Sequence, residues 1–133
     1  MKRNNTMLKE TLCILVVCLA VVIPEVAGDT CKRYTVNGCS IPGNLPFFYK
    51  KRFTGACNRH DVCYNCGKSR GVSRKTCDRD FLSNMKKTCR WYLPNCKSSA
   101  YVYYLAVRAG GSKRYKQTSA SWCGESWVSG CMK

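Results

Sequence analysis

The chain has 133 residues and a formal net charge of +16, with 12 cysteines and a single histidine. This length suits one small domain, and the cysteine content is typical of proteins that fold in an oxidising compartment rather than in the cytosol. The excess of Lys and Arg favours anionic partners and disfavours cationic ones.

Residues 1–28 have the pattern of a secretory signal peptide. Basic residues precede an apolar run from about Leu12 to Ile23, and Val26-Ala27-Gly28 supplies the small residues of a cleavage site. The run is too short for a transmembrane span, and no stop-transfer pattern follows it. We therefore expect a secreted, extracellular protein whose residues 29–133 form one domain.

The mature chain would retain ten of the 12 cysteines, an even number that indicates a disulfide framework. Cys63-x-x-Cys66 alone is a weak zinc motif, because no second cysteine pair and no histidine pair accompany it. The mature chain would also retain 20 of the 23 Lys and Arg, against five of the seven Asp and Glu. For a secreted protein, we expect sulfated glycans or anionic phospholipid as partners rather than nucleic acid.

Residues 29–52 contain several turn-forming residues and no helical apolar period. Asn37-Gly38 and Pro42-Gly43 predict an ordered loop region, which Cys31 and Cys39 would hold in place.

The next segment predicts a helix from Thr54 to Cys66. Thr54 is a suitable N-cap, and Gly67 is a suitable stop signal. His60 and Tyr64 would lie on one face of this helix, because residues four apart are neighbours on a helical surface.

A second helix is predicted from Thr76 to Trp91, antiparallel to the first. Asp78 lies on its inward-facing stripe, whereas Asp80 points some 200° away, towards solvent. The other residues of the stripe are Phe81, Leu82, Met85, Cys89 and Tyr92.

The C-terminal third divides into residues 101–107, a Gly-rich stretch and a tail, Tyr115–Lys133, that carries Cys123 and Cys131. Residues 101–107 are rich in aromatic and β-branched side chains, which favours a short strand or a buried segment. The Gly-rich stretch 109–114 predicts a flexible linker that ends in a dibasic pair. Cleavage after Arg114 would leave the tail attached through disulfides, and an ordinary surface loop is the alternative.

His60 has the chemistry of a general base if a carboxylate holds one of its ring nitrogens and so fixes the tautomer. Asp61 is adjacent but points about 100° away around the helix, so it is unsuited to that role. Asp78 is the better candidate, with Tyr64 placed to hydrogen-bond the same carboxylate. The alternative is a structural histidine with no catalytic role.

A water molecule that attacks a carbonyl group also requires stabilisation of the developing oxyanion. Calcium is the cation most available to a secreted protein, and Asp61 could supply one carboxylate oxygen to it. The loop 37–48 has the turn residues to present further oxygens, in a pattern different from that of an EF-hand.

These motifs resemble a known family. The segment ACNRHDVCY, residues 56–64, resembles the active-site helix of secreted phospholipases A2. Residues 37–67 resemble the conodipine type of cone-snail venoms and the related bacterial and fungal enzymes, and the second helix extends the resemblance to about residue 96. The shared features are the His-Asp pair, its flanking cysteines, the tyrosine four residues later and an upstream Cys-x-x-Pro-x-Asn/Asp-x-Pro loop.

The resemblance implies a mainly α, disulfide-rich phospholipase A2-like fold and calcium-dependent hydrolysis of the sn-2 ester of glycerophospholipids. His60 would be the general base, and Asp78 would orient it. Asp61, the side chain of Asn44 and the backbone carbonyl of Leu45 would bind Ca²⁺. The resemblance further implies two disulfides, Cys63–Cys77 and Cys39–Cys57.

Some features depart from the family pattern. The glycine-rich calcium loop of vertebrate and snake-venom enzymes is absent, so the resemblance is to the invertebrate and bacterial type. Asn44 stands where bacterial relatives carry an aspartate, which predicts weaker calcium binding. Asn84 stands where some relatives place an acidic residue.

A cluster of aromatic and basic residues beside the predicted calcium loop favours docking on an anionic phospholipid surface, although some of its aromatic side chains could instead pack in the core. The cluster comprises Phe47, Phe48, Tyr49, Lys50, Lys51, Arg52 and Phe53. The competing hypothesis for the whole chain is a non-catalytic cationic toxin or antimicrobial protein that binds membranes.

Overall fold

The computed structural model describes residues 31, 35–40 and 48–133. The predicted signal peptide, residues 1–28, lies outside the described residues, as do the predicted calcium ligands Asn44 and Leu45. The single-domain organisation of residues 29–133 stays a prediction.

The described part of the chain is helical and contains no β-strand, which confirms the predicted mainly α class. Its elements in chain order are α1 (Lys50–Cys66), α2 (Arg74–Thr88), α3 (Cys96–Gly110), a short 3₁₀ helix (Ser121–Gly124) and α4 (Trp127–Cys131). None of these helices has both the length and the apolar character needed to cross a bilayer.

Helix α1 begins at Lys50, four residues before the predicted N-cap Thr54. The Thr54 hydroxyl instead donates to the carbonyl oxygen of Lys50, 3.1 Å away, as Ser and Thr do within helices. The helix ends at Cys66, as predicted. A Cβ atom on Gly67 would lie 2.7 Å from the carbonyl oxygens of Cys63 and Val72, so the returning chain leaves room only for glycine.

Helix α2 begins at Arg74 rather than Thr76, because the side chain of Ser73 caps it by accepting from the backbone N–H of Thr76. It ends at Thr88, three residues before the predicted Trp91. The disulfide Cys89–Cys96 requires the chain to turn back at this point.

The predicted stripe of α2 is buried at Asp78, Phe81 and Met85. Tyr92 is 56% exposed, because it lies beyond the end of the helix and therefore does not belong to its inward face. Asp80 is partly exposed, in the direction expected for it.

The strand predicted for residues 101–107 is wrong, because these residues lie within α3. Ala100, Tyr103 and Val107 pack against the core at helical spacing, whereas Tyr101 and Val102 are about half exposed. Packing of one helical face has overridden the β-propensity of this aromatic and β-branched segment.

Each of the three long helices runs antiparallel to the one before it in the chain. Cys63 near the end of α1 is bonded to Cys77 near the start of α2, and Arg52 near the start of α1 donates to the carbonyl oxygen of Thr88 at the end of α2. Arg74 at the start of α2 likewise donates to the carbonyl oxygens of Val107 and Arg108 near the end of α3.

Five disulfides join the ten cysteines of the predicted mature chain. Cys39–Cys57 and Cys63–Cys77 confirm the two pairings that the family resemblance implies. The others are Cys31–Cys131, Cys66–Cys123 and Cys89–Cys96. Disulfides typically stabilise a domain by about 2–4 kcal/mol each, an important contribution in a chain with this net charge.

Two of these disulfides connect the C-terminal tail to the rest of the chain, through Cys123 and Cys131. The tail would therefore stay attached if the chain were cut after the exposed Arg114. Cleavage itself stays a prediction.

Candidate active site

The structure brings His60 of α1 and Asp78 of α2 into direct contact. The Nε2 atom of His60 lies 2.8 Å from Oδ1 of Asp78. The neighbouring Cys63–Cys77 disulfide holds the two helices together within one turn of this pair. The contact is the one that helical periodicity predicts for the inward face of α2.

Asp78 is completely buried, and its carboxylate accepts three hydrogen bonds, from His60, Tyr64 and Arg108. The Tyr64 hydroxyl donates to Oδ1 over 2.6 Å, and Nη1 of Arg108 donates to Oδ2 over 2.7 Å. These two contacts and the His60 contact satisfy both carboxylate oxygens, as a buried charge requires.

Burial alone would raise the pKa of Asp78, because it removes the carboxylate from water. The hydrogen bonds from His60, Tyr64 and Arg108 outweigh burial and lower this pKa below its ordinary value of 3.8. The pKa of Tyr64 moves in the opposite direction, chiefly through burial and then through its bond to Asp78, so its hydroxyl stays protonated and donates.

The ionised Asp78 determines the tautomer of His60. A carboxylate only accepts hydrogen bonds, so Nε2 carries the proton and Nδ1 carries the lone pair. The ring is held between Phe81, with centroids 4.5 Å apart, and Tyr64, at 4.0 Å. His60 remains 8% exposed and lines a cavity, and the described residues give Nδ1 no hydrogen-bond partner.

Asp61 forms no hydrogen bond with His60 and instead contacts the preceding loop. Its Oδ2 accepts from the backbone N–H of Asn37 over 3.2 Å. Partial burial raises the pKa of Asp61 above 3.8, although the Asn37 bond and the nearby Arg114 act in the opposite direction. The same loop is fixed to α1 by Asn58, which accepts from the N–H of Gly38, and by the Cys39–Cys57 disulfide.

The residues around Asp61 suit a calcium ion in part. Asp61 lines the cavity beside the loop, and its Oδ1 has no hydrogen-bond partner among the described residues, so one hard oxygen donor is available to a cation. The described residues contain no group of three or more His, Cys, Asp or Glu side chains that would bind a metal ion without backbone or amide oxygens. The predicted further donors, Asn44 and Leu45, belong to the undescribed part of this loop.

The cavity that contains His60 and Asp61 has a volume of about 580 Å³. The loop 35–40 and the inward face of α3 form two of its walls, and Phe81 and Tyr103 contribute apolar surface. This size is within the range of small-molecule sites, which are concave and largely apolar with a few polar groups.

The model of the prokaryotic phospholipase A2 family matches residues 25–111, well over half of the chain. The chain belongs to this family. This membership confirms the predicted family and the phospholipase A2-like fold.

The chain also resembles two conodipines from cone snails. Conodipine-P3 of Conus purpurascens is 44% identical over 62 residues, which are 47% of this chain and 33% of the relative. The conodipine-M alpha chain of Conus magus is 43% identical over 63 residues, again 47% of this chain but 78% of the relative. The chain thus spans about a third of the conodipine-P relative and most of the conodipine-M alpha chain. No solved structure matches it.

The candidate active site contains one residue that sequence reasoning missed, Arg108. It reaches Asp78 only because residues 101–107 form part of a helix that returns alongside α2. A helical interpretation of this segment would have placed Arg108 one turn after Tyr104, near the start of the antiparallel α2, and so within reach of Asp78.

The predicted aromatic and basic cluster divides between core and surface. Phe53 is fully buried, and the Tyr49 hydroxyl donates to the carbonyl oxygen of Pro94. Phe48 is 70% exposed, and Lys50 and Lys51 are exposed beside it. Phe47 lies outside the described residues.

Proposed function

We propose that this protein is a secreted, calcium-dependent phospholipase A2, which hydrolyses the sn-2 ester of glycerophospholipids to a fatty acid and a lysophospholipid. The observation that carries the proposal is the buried Asp78 carboxylate that fixes His60 in one tautomer at the wall of a cavity. Family membership supports the same activity.

His60 would act as the general base. Its Nδ1 takes a proton from a water molecule as the water oxygen attacks the carbonyl carbon of the ester. The imidazolium that forms is stabilised by Asp78, which stays ionised because Tyr64 and Arg108 also donate to it. When the tetrahedral intermediate collapses, the C–O bond to the glycerol oxygen breaks and the Nδ1 proton passes to that oxygen.

Asp61, Asn44 and the carbonyl of Leu45 would hold Ca²⁺, which when bound stabilises negative charge on the ester carbonyl oxygen. The Asn37–Asp61 hydrogen bond supports this assignment, because it attaches the loop to the helix beside His60. In this arrangement Asp61 binds the metal and Asp78 orients the base.

The substrate would be presented on an anionic phospholipid surface outside the cell. The net charge of +16 and the exposed Phe48 with its neighbouring lysines support such docking. The pattern of residues 1–28 and the ten paired cysteines support secretion.

The test is hydrolysis of mixed phosphatidylcholine and phosphatidylglycerol vesicles in which only the sn-2 chain is labelled. With calcium, we expect release of labelled fatty acid, and with excess chelator we expect none. Activity that persists in chelator contradicts the calcium mechanism. Release of trapped dye without any fatty acid would instead support the competing hypothesis of a non-catalytic membrane-binding toxin or antimicrobial protein.

Two substitutions in the proposed calcium site should act in opposite directions. Asp61→Asn removes a negative charge while keeping an oxygen that accepts from the N–H of Asn37, so we expect calcium affinity to fall at least about tenfold with the loop still in place. Asn44→Asp adds a charge and should strengthen binding. Calorimetric titration with calcium measures both, and Asp80→Asn on α2 is the matched control. Unchanged affinity in Asp61→Asn would contradict the assignment.

A further inference from the structure

Three basic residues line the same cavity as His60 and Asp61. They are Lys113, Arg114 and Lys116. All three belong to residues 111–116, the basic segment that follows α3. This segment begins where the family match ends, at residue 111, so family membership does not account for these cations. They are a feature of this chain at its proposed site.

The basic segment, residues 111–116, is held against α1 and the loop that follows α1 by several contacts. The backbone N–H of Lys116 donates to the carbonyl oxygen of Tyr64 over 3.0 Å, and the hydroxyl of Tyr115 donates to the carbonyl oxygen of Val72 over 2.6 Å. The ring of Tyr115 also meets that of Tyr64 edge to face, with centroids 5.7 Å apart. The contacts with Tyr64 attach the segment to the residue that also hydrogen-bonds Asp78, so the backbone that carries the cations has a defined position relative to His60.

The start of the segment is equally constrained. Gly111 is buried in contact with Tyr64, where any side chain would collide with the tyrosine ring and hydroxyl. The backbone N–H groups of Arg114 and Tyr115 both donate to the carbonyl oxygen of Gly111, which closes a tight turn. The stretch predicted as a flexible linker is therefore, in this structure, a packed turn that carries two of the three cations.

The charges on the cavity wall are unbalanced. Among the described residues that line it, Asp61 is the one acidic residue, against the three Lys and Arg residues. The described carboxylates form no ion pair with Lys113, Arg114 or Lys116, although Arg114 is close enough to Asp61 to interact with it electrostatically. Such a cavity attracts a negatively charged group to the side of His60 on which this segment lies.

We propose that Lys113, Arg114 and Lys116 bind the head group of a single phospholipid molecule and select head groups with a net negative charge. This inference rests on the proposed phospholipase function and identifies its preferred substrate class. A phosphatidylglycerol head group has an uncompensated phosphate, which the three cations can neutralise. The choline ammonium of phosphatidylcholine would meet the same cations and be repelled.

This selection differs from the general attraction of a cationic protein to an anionic membrane. General attraction depends on the net charge and is lowered by removing any surface lysine. Head-group binding depends on cations at the cavity and operates on a dissolved, monomeric substrate. The two effects are therefore separable with short-chain lipids below their micelle concentration.

The experiment compares the wild-type protein with two triple variants of equal charge. The cavity variant is Lys113→Gln, Arg114→Gln and Lys116→Gln. The control variant is Lys68→Gln, Lys75→Gln and Lys97→Gln, three exposed lysines that lie away from the cavity wall. Each protein is assayed with monomeric dihexanoyl phosphatidylglycerol and dihexanoyl phosphatidylcholine, and kcat/KM is measured for both.

For the cavity variant, we expect kcat/KM on phosphatidylglycerol to fall at least about tenfold while that on phosphatidylcholine changes less than about threefold. The control variant should keep the wild-type ratio of kcat/KM on phosphatidylglycerol to kcat/KM on phosphatidylcholine. The proposal would be overturned if the cavity variant lost kcat/KM equally on both substrates. It would also be overturned if the ratio of the two kcat/KM values fell as far in the control variant as in the cavity variant.

A binding measurement keeps this test independent of catalysis. Calorimetry with a non-hydrolysable dihexanoyl phosphatidylglycerol analogue, whose sn-2 ester is an amide, should show binding weakened at least about tenfold in the cavity variant only. If the wild-type protein binds the analogue in this way but hydrolyses neither ester, the proposed phospholipase function fails and the anionic head-group site stands. If the cavity variant binds as well as the wild-type protein, the head-group site is refuted whatever the hydrolysis assay shows.

Discussion

His60→Gln is expected to lower phospholipid hydrolysis by at least about a thousandfold, because glutamine has no nitrogen that can take a proton from water. The substitution should leave the fold largely intact. A glutamine amide N–H can still donate to Oδ1 of Asp78, which otherwise receives a bond from Tyr64 as well. The loss of ring contacts with Phe81 and Tyr64 should lower stability only modestly.

The measurement is the rate of sn-2 fatty-acid release at saturating calcium, together with the near-ultraviolet circular dichroism and the melting temperature. Lys75→Gln, at an exposed position in the first turn of α2 and outside the aromatic and basic cluster, is the control for introducing glutamine into a helix. A His60→Gln protein that retains more than about a tenth of the activity would exclude His60 as the base. Loss of the dichroism spectrum would instead indicate that His60 is structural, the alternative that the sequence leaves open.

The part of the site that could be predicted from the sequence depends on local helical geometry. The relation between His60 and Tyr64 follows from a spacing of four residues, and the inward direction of Asp78 follows from the apolar stripe around it. Asp61 is excluded as the carboxylate that orients His60 because adjacent residues point about 100° apart around a helix. The Asn37 contact of Asp61 is consistent with the loop position expected for a calcium ligand.

The part that could not be predicted depends on contacts between distant segments. Arg108 reaches Asp78 across 30 residues, and this requires the path of α3, whose composition favours a strand. The position of the basic segment requires the Tyr115 and Lys116 contacts with α1, which have no local sequence signal. The Cys66–Cys123 bond is similar, since connectivity among many cysteines is not written in their spacing.

The helix ends show a smaller version of the same limit. Thr54 is a good N-cap residue, yet α1 already begins four residues earlier, at Lys50. The loop that precedes this start is held by the Cys39–Cys57 disulfide. The end of α2 at Thr88 lies directly before Cys89, where the Cys89–Cys96 disulfide turns the chain back. Tertiary constraints therefore decided boundaries that capping preferences only suggested.

Asp78→Asn is expected to reduce both activity and stability. Asp78 receives three donors, from His60 and Tyr64 on Oδ1 and from Arg108 on Oδ2. An asparagine has one acceptor oxygen, so in one orientation its NH₂ group faces the Arg108 guanidinium, and in the other it faces His60 and Tyr64. The second orientation also favours the tautomer with the proton on Nδ1, which cannot act as a base.

We therefore expect hydrolysis to fall by about a hundred- to ten-thousandfold, and the free energy of unfolding to fall by about 1–3 kcal/mol at neutral pH. Asp80→Asn, two residues along the same helix and partly exposed, is the control and should change neither quantity substantially. Fatty-acid release and chemical denaturation measure the two effects.

The pH dependence of stability distinguishes a buried carboxylate from a neutral hydrogen-bonding residue at position 78. Because the pKa of Asp78 is lowered in the folded state, its ionisation stabilises the fold fully above the ordinary pKa of 3.8, and this contribution is lost as the pH falls below 3.8 through the folded value. The difference in unfolding free energy between wild type and Asp78→Asn should therefore be constant at neutral pH and shrink below about pH 3.8. A difference that stays unchanged on acidification would contradict the lowered pKa of Asp78 in the folded protein. A difference that grows would show that this pKa is raised instead, so that a protonated Asp78 could not hold His60 in the tautomer that the proposed mechanism requires.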